Sequence, residues 1–120
     1  MTSIFFADSY GANDVYAGNT DATYQGGSQI AQLDPVVLIS AMAAVTTSLG
    51  FAITANVVAL TPFIMARTFS SLDHITDGRV GWNIVTGYTN SSARAMGFDS
   101  VMAHDQRYEK AEEFADLVYR

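Results

Sequence analysis

The 120-residue chain is 49% hydrophobic and only 15% charged, enough apolar material for a core and too little charge for an intrinsically disordered segment. Six Lys plus Arg against twelve Asp plus Glu leave a formal charge of −6, and with no basic cluster to neutralise a phosphate backbone, nucleic acid is excluded as an expected partner. Cys is absent, and the two histidines, His74 and His104, stand far apart, which excludes disulfides, thiolate chemistry and any purely His-based metal site.

Residues 3–8 are a short apolar run ending in a carboxylate, predicting a strand that delivers Asp8 to its C-terminal edge. Residues 10–32 are rich in Gly, Asn, Asp, Thr and Tyr and predict a long loop, of the kind that is usually functional or disordered. Asp34-Pro35 reads as an N-cap with proline at the first helical position, opening a helix over 36–49 that stops at Gly50. Residues 51–58 are β-branched and apolar apart from Thr54 and Asn56, the pattern of a buried parallel strand. Pro62 opens a second helix, closed by Thr76-Asp77-Gly78, with His74 placed to satisfy its terminal carbonyls. Residues 80–86 make a third strand carrying Trp82, Asn83 and Thr86. A polar loop over 87–92 and a short helical turn over 93–96, ended by Gly97, follow. Residues 105–120 are helical, with Tyr108, Ala111, Ala115 and Val118 on one face and an i,i+4 pair between Asp116 and Arg120.

Residues 35–66 contain no charged side chain, a run longer than the roughly 20 residues that span a bilayer. Gly50, Asn56 and Pro62 interrupt it and its composition changes from helical to strand-like, so two buried elements are expected rather than a membrane span. No basic region precedes the short apolar run at Ile4-Phe5-Phe6-Ala7, so no secretion signal is expected.

Strand–helix alternation implies parallel strands in an α/β fold, and long polar loops after the strands suit part of a (β/α)8 TIM barrel, whose active sites lie on those loops. About three βα units are present where a closed barrel needs eight and roughly 250 residues. Residues 1–120 are therefore expected to be a partial barrel domain from the N-terminal part, lacking the first strand and the C-terminal half.

Phosphate loops, Gly-x-Ser-x-Gly elbows, Gly-x-Gly-x-x-Gly and His-Glu-x-x-His are absent. What remains is a set of polar side chains at the ends of apolar strands: Asp8, Thr54 with Asn56, and Asn83 with Thr86. A buried polar group without a partner costs about 1–3 kcal/mol, so several at one rim imply either mutual hydrogen bonds or a ligand that supplies partners. His104 and Tyr108 stand four apart at a helix start, either facing an anion there or serving as a capping His and a core Tyr.

The stretch Leu72-Asp73-His74-Ile75-Thr76-Asp77-Gly78-Arg79-Val80-Gly81-Trp82-Asn83-Ile84-Val85-Thr86 resembles the signature of bacterial-luciferase-like flavin monooxygenases, in particular those related to nitrilotriacetate monooxygenase component A and dibenzothiophene-sulfone monooxygenase. Phe5-Phe6-Ala7-Asp8, Asp34-Pro35 and the segment from His104-Asp105-Gln106-Arg107-Tyr108 to Phe114 are similar to the same family, in the same order. The resemblance implies a barrel that binds FMN at the C-terminal ends of its strands. Reduced FMN, from a separate NAD(P)H:flavin reductase, would serve to activate O2 and oxygenate a small organic substrate. Asp8, Thr54, Asn83, His104 and Tyr108 then fall at cofactor-binding positions; no catalytic residue and no metal ligand is implied. A cytoplasmic homo-oligomer is expected. Two alternatives stand beside this: a non-catalytic truncated remnant that oligomerises or binds a partner through its unpaired strand edges, and a relative that uses a deazaflavin.

Overall fold

The computed structural model describes residues 2–29 and 32–120. Along the chain run β1 (Ser3–Phe6), a 3-10 turn (Tyr16–Gly18), α1 (Asp21–Gly26), α2 (Pro35–Ala44), β2 (Gly50–Asn56), α3 (Pro62–Thr76), β3 (Val80–Val85), α4 (Asn90–Ala95) and α5 (His104–Val118). The strands form one parallel sheet in the order β1-β2-β3, because each return over a helix brings the next strand alongside the last in the same direction. Among the described residues no helix is long and apolar enough to cross a membrane.

Register decides which side chains share a face. Ile4 pairs with Phe51 and Phe51 with Val80, while Ile53 pairs with Trp82 and Thr54 with Asn83. Since successive side chains alternate, Phe51, Ile53 and Ala55 turn to one face with Trp82, and Ala52 and Thr54 turn to the other with Phe5 and Asn83. The helices cover the first face. Ile39 and Ala43 of α2 and Leu72 of α3 pack on Phe51 and Ile53; Met65 of α3 and Phe114 of α5 pack with Ala55 and Val57. The opposite face carries the Thr54–Asn83 pair and Phe5, which is 59% exposed.

Asp34 caps α2 as expected, its Oδ1 accepting from the Val36 N–H at 2.9 Å, with Pro35 behind it. The helix ends at Ala44, short of the expected 49. Val45, Thr46 and Thr47 are β-branched and stiff at χ1, and the Thr46 hydroxyl donates to the Met42 carbonyl at 2.8 Å, competing with helix continuation. The span 10–32 also departs from a plain loop. Asn19 Oδ1 accepts from the Asp21 N–H at 3.0 Å, and α1 closes on left-handed Gly27. Such short helices rest on local side-chain bonds that apolar periodicity does not register.

At the end of α3, His74 is exposed, and the carbonyls it was expected to satisfy are taken by backbone. The Asp77 N–H donates to the His74 carbonyl, and the Gly78 N–H donates to the Asp73 carbonyl at 3.0 Å with Asp77 left-handed. The short helix α4 begins at Asn90, earlier than the expected 93, because Thr89 caps it by accepting from the Ser92 N–H at 3.3 Å. In α5 the buried stripe is centred on Phe114, with Ala111 and Val118 beside it, while Tyr108 is 54% exposed and stands off it. The Asp116–Arg120 pair forms at 3.8 Å between exposed side chains, where such pairs contribute little.

Candidate functional site

Parallel strands put all three carboxyl ends on one edge of the sheet, and polar residues stand at or just beyond each of those ends. Asp8 and Tyr10 follow β1, Thr54 and Asn56 close β2, and Thr86 follows β3. Together with Arg107 and Tyr108 from the second turn of α5, they line an open pocket of about 570 Å³.

Inside the sheet, Asn83 Nδ2 donates to Thr54 Oγ1 at 3.0 Å. Thr54 is buried and reaches the pocket; Asn83 supports it from the neighbouring strand and does not line the pocket itself. Asn56 Oδ1 accepts from the Val58 N–H at 2.9 Å, setting the turn after β2. Its amide lies against Gly87, where φ is +70° and a Cβ would come within 2.5 Å of Asn56 Nδ2. Only glycine fits that position. The Gly87 carbonyl in turn accepts from Arg107 Nη1, while the buried Arg107 Nε has no hydrogen-bond partner. Arg107 is the one cation among the described lining residues. The first-turn N–H groups of α5 also start from Ala103, which offers no side-chain cap.

Of the five residues expected at the site, Asp8, Thr54 and Tyr108 line the pocket. Asn83 does not line it and touches Thr54 instead. His104 lies outside the lining: it is exposed, its Nδ1 is 2.8 Å from Asp105 Oδ1, and its ring stands 4.8 Å from that of Tyr108. Arg107 and Tyr10 also line the pocket and were not among the expected residues. Arg107 precedes Tyr108 directly, and a stripe centred on Phe114 runs back through Ala111 to Arg107 at helical spacing. That spacing was the available signal. Nothing in the sequence marked Tyr10.

A second set of contacts pins the loop after β1 to α4. Asp14, itself buried, accepts from the Ser91 N–H at 2.7 Å and stands 3.6 Å from Arg94. Ser91 Oγ donates to the Ala12 carbonyl. At Gly11 the backbones approach so closely that a Cβ would lie 2.5 Å from Ser92 N. Ser9 and Tyr10 on one side of the pocket are thereby held in register with Thr89 and Ser92 on the other.

Burial raises the Asp8 carboxyl above its ordinary pKa, with Asp34 adding in the same direction and the Ser9 N–H, which donates to it at 2.8 Å, opposing. Burial likewise raises the Tyr10 phenol. For an acid raised in the folded state, the stability contribution is present below the unfolded pKa and is lost as pH rises through the folded value. Asp8→Asn is therefore expected to melt higher than the parent at neutral pH, with the gap closing as pH falls through the carboxylate range. Thermal melts across pH check this; a gap that does not change with pH would assign the gain to something other than ionisation.

Residues 3–120 match the family model described as luciferase-like monooxygenase. The chain is 44% identical over 117 residues to a dimethyl-sulfide monooxygenase of Hyphomicrobium sulfonivorans, covering 98% of this chain and 24% of that protein. It is 38% identical over 122 residues to nitrilotriacetate monooxygenase component A of Aminobacter aminovorans, covering 97% and 26%. Among solved structures it resembles the long-chain alkane monooxygenase LadA, with a TM-score of 0.91 at 40% identity over 98% of this chain and 27% of that one. It also resembles a riboflavin lyase solved with modified FMN and riboflavin, with a TM-score of 0.85 at 39% identity over 96% and 26%. The chain thus spans about a quarter of the length of the curated relatives it matches. The signature around Trp82-Asn83, the parallel sheet and the pocket at its carboxyl edge agree with these matches, and the chain belongs to the luciferase-like monooxygenase family.

Proposed function

We propose that these residues build part of the FMN pocket of a monooxygenase that takes reduced flavin from a separate NAD(P)H-dependent reductase and uses O2 to oxygenate a small organic substrate. The observation that carries the reading is the pocket of about 570 Å³ at the carboxyl edge of the sheet, walled mostly by neutral hydrogen-bonding side chains, with Asp8 as its acid and Arg107 as the one cation among the described lining residues. That donor set fits FMN. Thr54 and Asn56 suit the polar edge of the ring, and Arg107 suits the phosphate. The modified FMN in the related riboflavin lyase supports a flavin as the ligand. When bound, reduced FMN supplies the electrons that activate O2. The protein's part is to bind and orient the ring through Thr54, held in place by Asn83, and to keep water from it. In this reading the three strands are staves of an eight-stranded barrel, whose remaining strands cover the face carrying Phe5 and Thr54.

Anaerobic titration with reduced FMN tests this. Asn83→Ala leaves the Thr54 hydroxyl unsupported, and losing one neutral hydrogen bond costs about 0.5–1.5 kcal/mol, or roughly 2- to 13-fold in affinity. Tyr108→Phe is expected to match that loss, or to exceed it where its hydroxyl meets the charged phosphate. Parent-like flavin affinity in both variants, or simple unfolding of both, would sink the site assignment.

A further inference from the structure

Two cations of α5 hold the loops that follow β2 and β3. Arg107 Nη1 donates to the Gly87 carbonyl, and Lys110, one turn further along the same side of the helix, donates from Nζ to the Val58 carbonyl at 3.1 Å. Lys110 is half-buried, and its Nζ stands 6.0 Å from the centre of the Phe98 ring. Glu113 lies within helical reach of it, yet among the described residues Lys110 forms no ion pair. Its ammonium is turned to the loop of the pocket instead. Val58, in turn, fixes Asn56. The Val58 N–H donates to Asn56 Oδ1 at 2.9 Å, and since a backbone N–H can only donate, the amide oxygen is the atom that faces it. The amide nitrogen is left as the free end of the side chain. Asn56 lines the pocket, and its Nδ2 has no hydrogen-bond partner among the described residues. Unlike Arg107 Nε, it is open to the pocket. Gly87 makes room for it, because a Cβ there would come within 2.5 Å of Nδ2.

We propose that the Asn56 amide nitrogen is a donor to a hydrogen-bond acceptor on the bound molecule, and that Lys110 is the residue that positions it through Val58. That the acceptor belongs to the flavin rests on the reading above. The link from Lys110 to Asn56 does not, since it follows from two hydrogen bonds within the protein.

Two measurements separate these. In the flavin-free protein, NMR relaxation of the Asn56 side-chain amide should report a rigid group, and Lys110→Met, which keeps the apolar stem, should make it as mobile as an exposed Asn. Lys110→Arg, which restores a donor at that place, should recover part of the rigidity. The second measurement is anaerobic titration with reduced FMN. Asn56→Ala should bind roughly 2- to 13-fold more weakly, the worth of one neutral hydrogen bond. Asn56→Asp, which still accepts from Val58 but presents no amide donor, should lose at least as much. Lys110→Met should lose a share of the Asn56→Ala effect. In the double variant Lys110→Met should add nothing beyond about twofold, because its effect passes through the amide that Asn56→Ala has removed. A lysine that merely packs α5 would instead lower the melting temperature and add its loss to that of Asn56→Ala. An amide mobile in the parent, an amide still rigid in Lys110→Met, or additive losses overturn the positioning role. Parent-like flavin affinity in both Asn56 variants overturns the donor. A rigid, Lys110-dependent amide in a protein that binds no flavin sustains the positioning and overturns the flavin as its ligand.

Discussion

Arg107→Met is expected to abolish the preference of the pocket for FMN over riboflavin. The two ligands differ only by the phosphate, so the ratio of their affinities isolates whatever the cation does for that group. Arg107 is the one cation among the described lining residues, and its Nη1 is spent on the Gly87 carbonyl while its buried Nε has no partner in the protein. What the side chain offers a phosphate in the pocket is its positive charge, Nε being shielded from the pocket by the protein. Hydrogen bonds to charged groups contribute about 1.5–3 kcal/mol, so FMN affinity should fall roughly 13- to 150-fold while riboflavin affinity changes little. Methionine keeps the length and apolar stem of the side chain, so the packing of α5 is disturbed less than by alanine. Arg107→Lys should recover part of the loss, since it restores the charge without the planar fork. Equal losses for FMN and riboflavin would show that Arg107 acts through the Gly87 loop and not on the phosphate.

Much of the fold was legible because it rests on devices that leave a local mark. Asp34-Pro35 and Pro62 open α2 and α3 where expected, and the strand–helix alternation determined the parallel sheet. What escaped notice depends on contacts distant in sequence or on caps too short to show periodicity. α4 is six residues long and starts at a threonine whose capping role is invisible until Ser92 folds back on it. The clamp between Asp14 and Ser91 joins residues 77 positions apart. The site followed the same division. Thr54 and Asn83 were found as polar breaks in apolar strands, and the register that pairs them follows from the two strands being adjacent. Arg107 was passed over because charge on a helix usually means solvent. Its place in the pocket wall shows only once Gly87 and the stripe of α5 are placed against each other.

That stripe is where the largest loss of stability is expected, from Phe114→Ala. Phe114 is 2% exposed, and it packs with Met65, Ala55 and Val57, its ring 6.1 Å from Trp82, which in turn stands 5.8 Å from Phe69. It is the only fully buried side chain of α5 among the described residues, so the helix has no second anchor of that size. Truncating a buried Phe to Ala costs about 3–5 kcal/mol, a large share of the 5–15 kcal/mol typical of a whole protein. The loss should concentrate in α5, where hydrogen exchange of its amides should accelerate ahead of those in β2. Flavin affinity should fall as well, although Phe114 does not line the pocket, because Arg107 lies seven residues away, about 10 Å along the same helix. Phe114→Leu, which keeps most of the buried volume, should recover most of both properties. Melting, amide exchange and flavin titration of the two variants are the measurements. If Phe114→Ala melts like the parent, α5 is held by something other than this contact. If it loses flavin with no loss of stability, the core does not act on the pocket through α5.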